Sequence, residues 1–218
     1  MLLVSTSSAT NIFVTASRPY HHANLRKTLL AAAVALIGEV GPQAFTLREV
    51  ARRAGVSHNA PYRHFPSKDE LLLAVAAEGF ERLTALMEKT LSAGRSPLER
   101  LELCGCGYVD FALRWPNHLL VMFELPIACR QRAQKELAIG NNAFAILLNC
   151  ITAAQQNGDL PAGDSLPLAW TAWAMVHGIA KLAISGSLPL DAQATIDFTR
   201  NSARAIFGGR SGQNLSKC

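Results

Sequence analysis

The sequence has few of the alternating polar and apolar stretches that predict β-strands, and aromatic residues make up only 7% of its 218 residues. Charged residues are also scarce, at 17%, but half of the chain is hydrophobic, which excludes an intrinsically disordered protein. Apolar residues recur instead at helical spacing along most of the chain. We therefore predict an all-α protein of about nine helices.

The chain also lacks a cysteine or histidine pattern of the kind that binds metal. Its five cysteines do not have zinc-site spacing, and an odd number argues against a disulfide framework. His58 and His64 are six residues apart, about 240° around a helix, so one helix cannot present both to one ion. We predict no metal, no cofactor and no catalytic residue, with thiols that stay free in a reducing cytoplasm. The cysteines are Cys104, Cys106, Cys129, Cys150 and Cys218.

One apolar segment, Leu166 to Ile184, has the length of a membrane-spanning helix. It contains Pro167, His177 and Lys181, which are costly or awkward inside a bilayer. We interpret it as a helix buried on more than one face, and we expect a cytoplasmic protein without membrane association.

Positive charge is concentrated near the N-terminus. Eight Lys or Arg residues lie between Arg18 and Lys68, against only Glu39 and Glu49, whereas the chain from Asp69 onward is close to neutral. This asymmetry indicates that one end of the protein meets a polyanion, although a solvated basic surface is the alternative.

The N-terminal segment shows clear helix signals. We expect a first helix capped by Asn24, and a second capped by Thr46 with Glu49 as its capping-box partner. Gly55 then permits a left-handed turn before a short helix around Asn59 to Phe65. A longer connecting helix follows, capped by Ser67. The first helix should bury one face, made of Leu25, Leu29, Ala32, Leu36 and Val40.

Two consecutive helices joined by a tight turn form a helix-turn-helix, whose second helix fits the DNA major groove. Leu47, Val50 and Val56 are apolar where these two helices must share a core, and Ala51 is small enough for a close crossing. The short segment that follows is rich in small or hydrogen-bonding side chains. The sequence therefore predicts a DNA-reading head.

The stretch TLREVARRAGVSHNAPYRHFPSKDELL resembles the DNA-binding region of the tetracycline-repressor (TetR) family. AWAMVHGIAKLAISG is similar to the Trp-x-x-x-His-Gly stretch in one branch of that family. Pro61 departs from the family pattern, which often has Leu there, and leaves open where the short helix begins. The resemblance implies contacts to phosphates or bases from Thr46, Arg48, Ser57, His58, Asn59, Ala60, Tyr62, Arg63, His64 and Lys68.

Within that set, the resemblance implies that Tyr62, His64, Lys68 and Thr46 bind phosphates. Base reading is expected from His58 and Asn59, with Arg63 and Arg48 as further candidates, and a thymine methyl contact is expected from Ala60.

The rest of the chain predicts a helical bundle with aromatic residues in neutral surroundings. Gly105 and Gly107 lie inside one helix, where each costs about 1 kcal/mol relative to Ala, so we expect either a close approach there or a loosely packed surface. A neutral or hydrophobic effector is the expected ligand. Candidate pocket residues, each also explicable as ordinary core, are Cys104, Tyr108, Phe111, Trp115, Phe123, Phe144, Leu147, Trp173 and His177.

We expect a disordered extension (1–19), a helix-turn-helix domain (20–66), a ligand-binding and dimerisation domain (67–208, with connecting helix 67–91) and a flexible tail (209–218). The resemblance implies a homodimer through the last two helices that binds a palindromic operator in double-stranded DNA. The hypothesis is a ligand-responsive repressor, not an enzyme. The alternatives are an architectural DNA-binding protein without a ligand, and a cysteine-based redox sensor.

Overall fold

The computed structural model describes residues 22–125, 131 and 141–208. All regular structure in these ranges is helical, which confirms the predicted all-α class. One 3-10 helix, Pro61–Arg63, lies between the second and third α-helices. The α-helices are α1 His22–Val40, α2 Leu47–Arg53, α3 Lys68–Leu91, α4 Pro97–Arg114, α5 Pro116–Glu124, α6 Asn141–Gln156, α7 Ser165–Ile184 and α8 Ala192–Phe207.

The N-terminal head consists of α1, α2 and the 3-10 helix, closed by the start of α3. The predicted capping box of α2 is confirmed: the Glu49 backbone N–H donates to Thr46 Oγ1 at 3.3 Å, and the Thr46 backbone N–H donates to Glu49 Oε2 at 2.7 Å. Gly55 has φ +68°, the left-handed conformation expected for the turn after α2. The Ser67 side chain accepts from the Glu70 N–H and caps α3, as predicted.

Two predictions about α1 are wrong. The helix begins at His22, so Asn24 lies within it and is not the N-cap. Val40, the last helical residue, is 51% exposed, whereas Leu25 and Leu29 are buried as expected. The buried face of α1 therefore ends at Leu36 and Ile37, before the last turn of the helix.

The predicted short helix from Asn59 to Phe65 is also wrong as an α-helix. The segment is a turn followed by the 3-10 helix, in which the His64 N–H donates to the Pro61 carbonyl at 2.9 Å. Pro61 has no N–H with which to continue α-helical bonding from Ser57, and it occupies the first helical position, where none is needed.

The rest of the described chain packs around α4, which contacts α3, α6, α7 and α8. Gly107 on α4 is buried, and a Cβ placed there would lie 3.1 Å from the Cα of Met87 on α3. At Gly105 a Cβ would lie 3.2 Å from Val176 Cγ1 on α7. The two glycines therefore allow neighbouring helices to approach closely. Of the two expectations for these positions, close approach is confirmed and a loosely packed surface is wrong.

Buried charge connects α4 to α8. Glu102 on α4 is buried and accepts hydrogen bonds from the Arg204 Nε at 3.0 Å and the Arg200 Nε at 3.3 Å. A buried carboxylate needs such partners, because an unpaired one would carry a large desolvation cost. The last helix is thus fixed to the centre of the bundle.

Several predictions fall on parts of the chain outside the described residues: the extension 1–19, the tail 209–218, Cys129 and Cys218. Within the described ranges, each helix is too short or too polar to cross a lipid bilayer.

Candidate functional site

The turn and 3-10 helix after α2 present an exposed polar surface. Four predicted DNA-binding side chains, those of His58, Asn59, Tyr62 and Arg63, are exposed here, and Tyr62 is 48% exposed despite its aromatic ring. Pro61 and Phe65 on the same segment are buried in the head. The segment thus anchors itself through apolar residues while its hydrogen-bonding side chains face outward.

The remaining predicted DNA-binding residues differ in how exposed they are. Thr46, Arg48 and Ser57 are exposed, whereas His64 is half-buried and Ala60 packs partly against the core. Thr46 Oγ1 also donates to Glu49 Oε2 at 2.9 Å.

Lys68 is held inside the head by two contacts. Its Nζ donates to the Gln43 carbonyl at 2.7 Å and lies 4.7 Å from the centre of the Phe45 ring. Burial lowers the Lys68 pKa, and the nearby Asp69 and Glu49 carboxylates partly oppose this. The lysine therefore positions the start of α3 against the loop before α2, in addition to any contact with DNA.

Arg53, near the turn, is an exposed cation that already has an ion-pair partner within the protein. Its Nη1 and Nη2 donate to the two Glu39 carboxylate oxygens at 2.6 and 2.5 Å. This pairing lowers the Glu39 pKa and raises the Arg53 pKa through the hydrogen bonds they share. The guanidinium charge is thus already compensated within the protein.

A cavity of about 500 Å³ lies inside the C-terminal bundle. Six predicted pocket residues line it, namely Cys104, Tyr108, Phe123, Phe144, Leu147 and Trp173. Phe111, Trp115 and His177 do not line it; Phe111 is fully buried, and the Arg82 guanidinium covers the Trp115 ring at 5.3 Å. Among the described lining residues, none carries a charged side chain.

Sequence reasoning missed the contributions of α3 and α8 to the cavity wall, and those of α7 apart from Trp173. From α3 come Phe80, Leu83 and Met87, whose spacing along the sequence marks one helical face and could have indicated them. The remaining missed residues lie on α4 and α6, beside residues that were predicted, and on α7 and α8. They are Leu101, Gly105, Ala143, Ala145, Leu148, Trp170, Ala172, Met175, Val176, Ala203 and Phe207.

Tyr108, which lines the cavity, forms a hydrogen-bonded pair with His177, which does not. The Tyr108 hydroxyl lies 2.8 Å from His177 Nδ1, and the His177 ring centre lies 4.7 Å from that of Phe123. Burial raises the Tyr108 pKa and lowers the His177 pKa, and Lys181 lowers the latter further. Both groups are therefore uncharged at neutral pH.

The three described cysteines are free and buried. A hydrogen bond with Cys150 and burial raise the Cys104 pKa, while burial raises the Cys106 pKa to about 11. Thiols with raised pKa values are poor nucleophiles and slow to oxidise, which disfavours redox sensing at Cys104 and Cys106. No group of His, Cys, Asp or Glu suited to a metal ion occurs in the part of the chain that the structure describes.

Comparison with known proteins identifies the family. The family described as bacterial regulatory proteins, tetR family, matches residues 29–75, and the tetracyclin repressor-like C-terminal domain matches residues 101–202. The chain belongs to the TetR family. It is thus one of a family of regulatory proteins rather than of enzymes, with a helix-turn-helix head and a TetR-type helical C-terminal domain.

Similar proteins span different parts of this TetR-family chain. The transcriptional repressor KstR of Rhodococcus jostii is 42% identical over 78 residues, 36% of this chain and 36% of that protein. The chain therefore aligns with only about a third of the length of the first curated relatives it matches.

Solved structures match over most of the fold. A Rhodococcus sp. RHA1 protein of unknown function is 34% identical, with TM-score 0.73 over 88% of this chain and 99% of that one. The regulator FadR of Bacillus subtilis, solved in complex with stearoyl-CoA, is 18% identical, with TM-score 0.72 over 84% of this chain and 97% of that one. The latter likeness concerns the fold alone.

Proposed function

We propose that this TetR-family protein is a cytoplasmic transcriptional repressor that binds a palindromic operator as a homodimer and leaves it when a small apolar effector enters the cavity. The KstR relatives, named as repressors, support repression through the head they share with this chain. The family supports DNA as the partner of the head.

The proposed DNA surface is the exposed segment after Gly55. His58 and Asn59 come first on it and read base edges, while Tyr62 and Arg63 lie one turn further and bind phosphate or base. Thr46 and Arg48, at the exposed start of α2, and Ser57 add further contacts to DNA. His64 and Lys68 are proposed to bind phosphates, and Ala60 is proposed to contact a thymine methyl, as the family resemblance implies.

The effector site is proposed at the cavity, whose volume is that of a typical small-molecule site. Its walls are mostly aromatic and aliphatic, and no described lining side chain is charged, which favours a neutral or hydrophobic compound. That FadR, with the same fold, was solved with stearoyl-CoA supports a ligand role for such a bundle.

The observation that carries the proposal is the continuity of α3 from head to cavity. Lys68 at its start is bonded to the head, and Phe80, twelve residues later, lines the cavity about 18 Å away along the helix axis. A ligand that displaces Phe80, Leu83 or Met87 must move the helix to which the head is attached. Effector and operator then bind competing conformers, and each weakens the other by the same factor.

The proposed dimer uses α7 and α8. Both helices leave large apolar side chains exposed, including Trp170 at 58%, Leu182 at 50% and Phe198 at 43%. Such a surface is typical of a protein interface. A two-fold dimer whose reading heads lie about 34–36 Å apart would suit half-sites one DNA turn apart.

The deciding experiment is selection of duplexes from a random library by the purified protein at stated salt, followed by titration of the selected duplex with and without candidate effectors. A palindromic consensus and release by an apolar compound support the proposal. A protein that binds all duplexes equally and ignores every compound is an architectural protein instead. Normal, ligand-responsive operator binding after all five cysteines are replaced by Ser or Ala would exclude a thiol sensor.

A further inference from the structure

The cavity offers a ligand very little polar chemistry. Of the described residues that line it, Tyr108 alone carries a hydroxyl. The other polar side-chain atoms in this wall are the indole N–H groups of Trp170 and Trp173 and the thiol of Cys104. A ligand with a hydrogen-bonding group therefore has a single hydroxyl to meet.

The Tyr108 hydroxyl is hydrogen-bonded but can form a further hydrogen bond. His177 Nδ1 lies 2.8 Å from it and is its hydrogen-bond partner. A phenol hydroxyl has one hydrogen to donate and two lone pairs that accept, so this partner leaves a position open for a further bond. Ring contacts with Phe123, Trp173 and Tyr108 hold the His177 imidazole in place.

We propose that this open position of Tyr108 recognises a hydroxyl group on an otherwise apolar effector, and that His177 is the residue that positions Tyr108. The inference rests on the proposed role of the cavity as the effector site. A hydroxyl is the matching group because the His177 tautomer decides whether Tyr108 still accepts or still donates, and an alcohol can do either.

The test compares two compounds with the same number of non-hydrogen atoms, 3-phenylpropan-1-ol and butylbenzene. Binding to the full chain is followed by quenching of tryptophan fluorescence, since Trp170 and Trp173 line the cavity. Tyr108→Phe keeps the ring and removes the hydroxyl. We expect it to weaken binding of the alcohol about three- to tenfold, the effect of one neutral hydrogen bond, and to leave butylbenzene affinity unchanged.

Two further variants separate positioning from packing. His177→Phe keeps an aromatic ring against Phe123 but releases the Tyr108 hydroxyl, so it should also weaken the alcohol more than butylbenzene. Phe144→Leu, a matched change at an apolar wall residue, should weaken both compounds and leave the ratio of their affinities as in the wild type.

The result that overturns the inference is an equal effect of Tyr108→Phe on the two compounds. If Tyr108→Phe fails to fold, an unchanged affinity ratio in His177→Phe overturns it instead. Should neither compound bind the wild-type protein, the inference fails and the proposed effector role of the cavity fails with it, while operator binding by the head is tested separately by the duplex selection. Binding of both compounds without discrimination by the variants refutes only the role of Tyr108.

Discussion

Replacing Arg63 by Gln should flatten the salt dependence of operator binding, whereas the same replacement at Arg53 should not. Arg63 lies exposed on the 3-10 helix, on the surface proposed to meet DNA. Arg53 is near it on the head, but both of its terminal nitrogens are bonded to Glu39. The two variants change the net charge equally, so each serves as the control for the other.

The size of the effect follows from counterion release. Each phosphate neutralised by a cation contributes about −0.9 to the slope of log affinity against log salt concentration. A dimer that loses one contact in each subunit should therefore have a slope flatter by about 1.8. Between 50 and 200 mM salt, the Arg63→Gln dimer should lose about tenfold less affinity than the wild type loses.

Fluorescence anisotropy of a labelled operator duplex, measured at several salt concentrations, gives these slopes directly. Thermal unfolding followed by circular dichroism checks that both variants fold. Equal flattening by the two variants would mean that only net charge matters and that the Glu39 pair has no influence. An unchanged slope for Arg63→Gln would exclude a phosphate contact by that residue.

Three further outcomes are expected. Phe198→Glu should convert the dimer to monomers in sedimentation velocity, and a persistent dimer would place the interface elsewhere. Gly55→Ala should destabilise the protein by about 1 kcal/mol in urea unfolding, because φ is +68° there, and unchanged stability would contradict this. Burial lowers the His118 pKa, and Arg82 adds to this effect while Glu78 opposes it. The contribution of His118 to stability is therefore fully present above the pKa of an unfolded histidine, about 6.5, and is lost as the pH falls through the folded pKa. Stability should thus fall from pH 7.5 to 5.5, and less steeply in His118→Asn; parallel curves would exclude His118.

Local signals predicted the head well because its defining features are local. The bonds of Thr46 with Glu49, the cap at Ser67 and the left-handed Gly55 each depend on residues within one helical turn. The turn and 3-10 helix after Gly55 were less predictable, because a proline at position 61 is compatible with the first turn of an α-helix and with a 3-10 helix. Which one forms depends on how Pro61 and Phe65 pack into the head.

The cavity was predictable only where one helix carried the signal. Leu101, Cys104, Gly105 and Tyr108 share one face of α4, but Phe111 and Trp115 continue that face beyond the end of the cavity. Helical periodicity predicts which residues share a face of α4, but it does not predict how far along α4 the cavity extends. The wall residues of α3, α7 and α8 depend on tertiary packing over long sequence separations.

The close crossing at Gly107 fixes the distance between α3 and α4 at Met87. Because backbone lies against backbone there, α3 cannot approach α4 at this point. Phe80 lies about 10 Å and Lys68 about 28 Å from Met87 along the same arm of the helix. In the proposed mechanism, an effector that tilts α3 about this point would therefore move Lys68 almost three times as far as Phe80.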